Sequence, residues 1–185
     1  MVSLWYGYSV FILNDATVYS ENGPLENIQA ILLAVSALVF LIYAVRDKSS
    51  ARLILLSCFW LCFSFVLREL DVERLDVHNA LKFIGAGIGR NIMLAVGFLA
   101  LLIRAVTRFS YYKKAVLPFL RSKPGILLML GGLLLIVGDV FENSHSIIHN
   151  AFFEEIFELF GCCSILLSAL ASHPALTRTA QSERD

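Results

Sequence analysis

Charge is scarce in this sequence, and that scarcity excludes most soluble folds. Charged residues make up 16% of the chain and apolar ones 58%, against about 25% and about 45–50% in ordinary soluble domains. With a mean hydropathy of +0.74 and long uncharged runs, the 185 residues read as one all-α integral membrane domain. Other absences narrow the chemistry. The chain holds no nucleotide-binding glycine loop, no Ser-His-Asp signature and no haem-binding CxxCH, so the commonest soluble chemistries lack support. Nothing in it suggests nucleic acid as a partner. It contains no internal repeat. Its four cysteines include no paired CxxC motifs, and the adjacent Cys162 and Cys163 cannot bridge each other comfortably. Cys58 and Cys62 fall mid-span, where small apolar fillers are expected.

Basic residues are missing from the first 24 positions, which also lack a small-residue cleavage site. A signal peptide needs both. Trp5, Tyr6, Tyr8, Phe11 and Tyr19 suit the headgroup zone instead, so residues 1–24 read as an aromatic interfacial lead-in.

Five apolar stretches are present, at Leu25–Val45, Ala51–Leu70, Phe83–Ile103, Pro124–Phe141 and Phe152–Ala171. Each suits the roughly 20 residues that cross about 30 Å of hydrocarbon. They divide the chain into the lead-in, a five-helix membrane domain over 25–172 and a polar tail over 173–185. Pro24 suits a first helical turn, and Ser172-His173-Pro174 suits a stop. Orientation follows from charge segregation. Arg46, Lys48, Arg52, Arg104, Arg108, Lys113, Lys114, Arg121, Lys123, Arg178 and Arg184 fall on one side. All acidic residues except Asp47, Glu183 and Asp185 fall on the other. Basic loops stay in the cytoplasm, which predicts the N-terminus outside, the C-terminus inside, and a bacterial inner (plasma) membrane as the setting. Residues 110–123 read as an amphipathic basic connector on anionic headgroups. Gly85 and Gly89 form a GxxxG, and with Gly97, Gly131, Gly132 and Gly138 they suit close helix packing.

The organising stretch is Asp139–Glu158, with five acidic residues and two histidines between the last two apolar runs. Counting up from the basic side at about 1.5 Å per residue, Glu69, Arg90, Asp139 and Glu158 all reach roughly 21–26 Å, and Glu26 slightly higher. Ionisable groups at such a depth are costly and normally turn inward to find partners. On a continuous fourth helix, Asp139, Glu142, His145, Ser146 and His149 would share an arc of about 120°. On the fifth, Glu154, Glu155, Glu158 and Cys162 would share about 100°. Cys58, Cys62 and Glu69 align on the second. The commonplace alternatives are a solvated acidic turn, especially for Glu154 and the two histidines, and a structural ion pair of Arg90 with Asp139 or Glu158.

Carboxylate and imidazole groups at i, i+3 and i, i+4 bind Zn²⁺, Fe or Mn²⁺, and Glu-x-x-His recurs in helical di-iron sites. The expected metal ligands are therefore Glu142, His145, His149, Glu155 and Glu158, with Asp139 or Glu69 as catalytic base and Arg90 as ion-pair partner. His78 and Asn79 lie at the third span's entrance, where they could complete such a site. The His145-x-x-x-His149 pair resembles the HxxxH of the membrane zinc hydrolases of the alkaline ceramidase and adiponectin receptor group. That group also carries an early Ser-x-x-x-His, for which this chain offers Ser64-x-x-x-Arg68, and seven spans instead of five. Its function is therefore not carried over. Three roles follow from the residues: divalent-metal or cation binding, with metal-dependent chemistry on a lipid-like substrate as one use; a proton or cation transport component; or a non-catalytic subunit of a larger complex or homo-oligomer among membrane lipids.

Overall fold

The fold is known from a computed structural model that describes residues 24–47, 51–70, 78, 82, 85–143 and 150–182. Among them there are six helices and no strands: α1 (Pro24–Arg46), α2 (Ala51–Glu69), α3 (Gly87–Thr107), α4 (Phe109–Arg121), α5 (Lys123–Glu142) and α6 (Asn150–Ser182). Five of them, all but α4, are long and apolar enough to cross a membrane. Helices suit that solvent because each backbone N–H finds its carbonyl within its own segment. The described residues outside the connections are thus all helical, and five long apolar helices are consistent with an integral membrane protein.

Two antiparallel pairs make the bundle. α5 packs along α6 most extensively, α1 packs along α2, and α1 crosses onto α6 to join the pairs. The core between them is built from Leu33, Phe40, Leu55, Cys62, Cys162 and Ile165, all essentially enclosed or nearly so. Lipid tails are as apolar as these side chains, so the gain comes from close packing, for which small residues let backbones approach. The α5–α6 seam shows this directly. A Cβ placed on Gly131 would lie 2.6 Å from Ile165 Cγ1 and 2.9 Å from the Gly161 carbonyl. A Cβ on Gly161 would meet the Gly131 carbonyl at 3.0 Å. Ser168 adds a polar tie, its Oγ donating to the Pro124 carbonyl at 2.7 Å.

Sequence sets the helix ends as well. Ser122 caps α5, its hydroxyl accepting from the Gly125 N–H at 3.4 Å, with Pro124 in the first turn. That placement uses a missing donor where none is needed. α3 begins later than expected, because Gly87 takes φ 56°, a left-handed turn that costs a side-chain-bearing residue about 1 kcal/mol or more. Gly85 and Ala86 therefore precede α3, and the span runs on to Thr107 instead of stopping at Ile103. The basic connector is itself helical. α4 buries Ala115 and Phe119 against the bundle, while Phe109, Val116, Leu117 and Leu120 are exposed. α6 also departs from expectation. It continues through Pro174 to Ser182, although proline has no N–H to offer the carbonyl one turn back. The candidate span within it ends at Ser172.

α3 stands apart. Of its span 6% is buried, against 50% for α6. Its attachment to α2 includes Trp60, whose Nε1 donates to the Leu94 carbonyl at 3.3 Å. The Trp60 indole fills the space a Gly97 side chain would need.

Candidate functional site

Positions 155 and 158 on α6 are one turn apart, so they share a face. That face points into the bundle: Glu155 is 8% exposed and Glu158 is 4%. Cys162, one turn further on, continues the same buried stripe at 1%. Burying a carboxylate costs several kcal/mol unless it is paired and hydrogen-bonded, so the partners of these two residues define the site.

Glu158 is met by Arg68 from the end of α2, with Nη2 and Oε1 2.5 Å apart. The same guanidinium reaches Glu69 through Nε at 3.0 Å, so one planar group joins two carboxylates, a geometry that suits arginine far better than lysine. The Arg68 side chain also lies 6.0 Å from the Phe65 ring centroid. Gly138 of α5 makes room for this arrangement. A Cβ there would sit 2.8 Å from Glu158 Cγ and 3.4 Å from the Glu154 carbonyl. Glycine at 138 therefore lets the stem of Glu158 lie flat against α5 and extend toward α2.

Glu155 is met by α1. Gln29, 1% exposed, donates from Nε2 to Glu155 Oε2 at 2.8 Å and to the Glu155 carbonyl at 3.1 Å. Glu26, half-buried one turn earlier on α1, lies within electrostatic reach of Glu155 and Glu69. Stacking of Phe141 on Phe157 at 5.3 Å fixes the α5–α6 pair at this level.

Glu69, Glu155 and Glu158 are thus brought together with Arg68, all at one end of the bundle. Asp139 does not join them. Gly138 is the α5 residue that faces α6, and the next position is rotated by about 100°, which leaves Asp139 exposed. Arg90 is also placed elsewhere: its Nη1 donates to the Leu67 carbonyl at 3.0 Å, and the cation on Glu158 is Arg68. Glu154 is half-buried and His78 exposed. Asn79, His145, Ser146, His149 and the side chain of Glu142 lie outside the described residues. Among the described residues, no group of three or more His, Cys, Asp or Glu is placed to hold a metal ion.

Two members were missed in the sequence. Gln29 had a signal, since it and Ser36 interrupt the otherwise apolar run from Ile28 to Ile42, and a polar amide there needs a partner. Arg68 had one too, because it sits at the same depth as Glu69 and is the adjacent residue. Chemically, the cluster gathers three carboxylates, two of them buried, around one guanidinium and one amide. The chain matches no family model, and no curated protein or solved structure is recognisably similar to it.

Proposed function

We propose that this is a cation-binding integral membrane protein whose site is the cluster of Glu69, Glu155 and Glu158. One observation carries the reading. The cluster's guanidinium, Arg68, is already engaged by Glu69 and Glu158, while the buried Glu155 carboxylate is met by an amide. An excess of buried negative charge in a low-dielectric bundle draws in a positive charge or a proton. By the distribution of basic residues, the site faces the extracytoplasmic side of a plasma membrane. In its metal form, the reading adds Glu142, His145 and His149 as ligands for Zn²⁺, Fe or Mn²⁺. Glu69 would then be the base for a metal-bound water acting on a lipid-like substrate.

Thermal unfolding of the detergent-purified chain in the presence of Na⁺, Ca²⁺, Mn²⁺ or Zn²⁺ tests this. At about 100 times its Kd, a ligand specific for the folded state adds about 2.7 kcal/mol, so at least one cation should raise Tm saturably. Glu155→Gln with Glu158→Gln should abolish the rise. If none of the four exceeds choline chloride at matched ionic strength, the reading falls.

The Arg68–Glu158 pair also favours a second reading, a structural subunit whose charges only fix the bundle. In that case the swapped double Arg68→Glu with Glu158→Arg restores folding, and wild-type stability responds to no cation.

A further inference from the structure

Gln29 carries more than its contact with Glu155. Its Nε2 is used twice, while its Oε1, bonded to the same carbon, is buried without a hydrogen-bond partner. A buried carbonyl left without a donor forfeits the hydration it had in the unfolded chain. Turning the amide over relocates the fault. The oxygen would then face the Glu155 carbonyl, which cannot donate, and the nitrogen would be stranded. Either orientation leaves one buried amide atom without a partner, and in the orientation observed it is an oxygen on the amide that meets the Glu155 carboxylate.

Resting on the cation-binding reading above and narrowing it, we infer that Gln29 Oε1 and the Glu155 carboxylate are the protein's ligands for a hard monovalent cation of the sodium class. Three observations set the ligand's chemistry. Both donors are oxygens, which suit hard cations, whereas Zn²⁺ and its neighbours favour imidazole and thiolate. The pair itself carries the single formal charge of Glu155, and the nearby guanidinium, Arg68, is taken up by Glu158 and Glu69. And the described residues offer no set of three His, Cys, Asp or Glu for a divalent ion. Burial adds selectivity of a simple kind, since a small ion with a weakly held water shell enters such a place more readily than Mg²⁺ does.

The experiment is ²²Na⁺ binding to the full detergent-solubilised chain by scintillation proximity, with unlabelled NaCl, KCl, CaCl₂, ZnCl₂ and choline chloride as competitors. Saturable binding displaced by NaCl and not by choline is expected. Glu155→Gln should abolish it, and Gln29→Leu should weaken it at least about tenfold, as loss of a supporting ligand typically does. Gln29→Glu keeps an oxygen at the same place and should retain sodium binding, so a failure of Gln29→Leu to fold would not decide the matter. Sodium binding unchanged in a well-folded Gln29→Leu protein overturns the inference, as does a Gln29→Glu protein that folds and binds none. Absence of ²²Na⁺ binding alongside a Zn²⁺ or Mn²⁺ stabilisation that depends on Glu158 overturns it too, while leaving the cation reading standing. No response to any cation removes both.

Discussion

Replacing Arg68 with leucine should destabilise the bundle more than neutralising the carboxylate it serves. The Glu158 side chain is 6% exposed, Glu69 11% and Arg68 45%. Without Arg68, two largely enclosed carboxylates lose their common cation. Breaking a fully buried pair costs about 3–5 kcal/mol, and an exposed pair is worth about 0–1 kcal/mol. With one enclosed member and one half-open, the loss should be about 2 kcal/mol, or roughly a 30-fold shift in the folded-to-unfolded ratio. Glu158→Gln leaves the guanidinium with Glu69 and an open side, so about 1 kcal/mol or less is expected. Arg68→Lys should fall between, since a single ammonium cannot span both carboxylates in the planar arginine geometry. Equilibrium unfolding in mixed micelles, titrating a denaturing detergent and following far-ultraviolet circular dichroism, gives all three values. Arg68→Leu costing no more than Glu158→Gln would refute the reasoning, because the order of the two losses follows from which partner is enclosed.

Other expectations are open to measurement in the same material. Gly138→Ala should cost about 1–3 kcal/mol by overpacking against Glu158, whereas Gly132→Ala, whose Cβ would meet nothing within 4 Å, should be neutral or gain up to about 1 kcal/mol from helix propensity; detergent-denaturation midpoints compare them. Trp60→Ala should speed amide hydrogen exchange along α3 while leaving α5 and α6 protected, since Trp60 is the residue that fills the notch at Gly97. Nitroxides placed at Val116 and Leu120 of α4 should collide mainly with oxygen, and those at Lys114 and Arg121 mainly with a water-soluble nickel reagent. No acidic residue occurs between Asp76 and Asp139, so weakening α4 with Lys113→Glu and Lys114→Glu should show most in anionic bicelles.

The spans were legible because hydropathy reports length and solvent together. Even so, α3 was displaced by several residues, since one left-handed glycine at 87 decides its start and hydropathy does not register backbone sign. Inward facing on α6 was legible from spacing alone: Glu155, Glu158 and Cys162 repeat at helical intervals, and all three are buried. On α5 the same arithmetic put Asp139 inward, but the seam with α6 is set by Gly131 and Gly138, and their phase leaves Asp139 outside. Choosing between Arg68 and Arg90 as the partner of Glu158 needed the rotation of α2 about its axis. That rotation is fixed by packing with α1, which the sequence of α2 does not contain.

The slight attachment of α3 has a consequence for the membrane around it. In a bilayer, a rod with so little of its span buried takes its tilt from the thickness of the bilayer more than from protein neighbours. Shorter or longer lipid tails should therefore lean α3 first, pivoting on the indole at its midpoint and drawing the Leu67 carbonyl, one residue before Arg68, along with Arg90. The composition of the surrounding fat thus has a mechanical route to the charged end of the molecule.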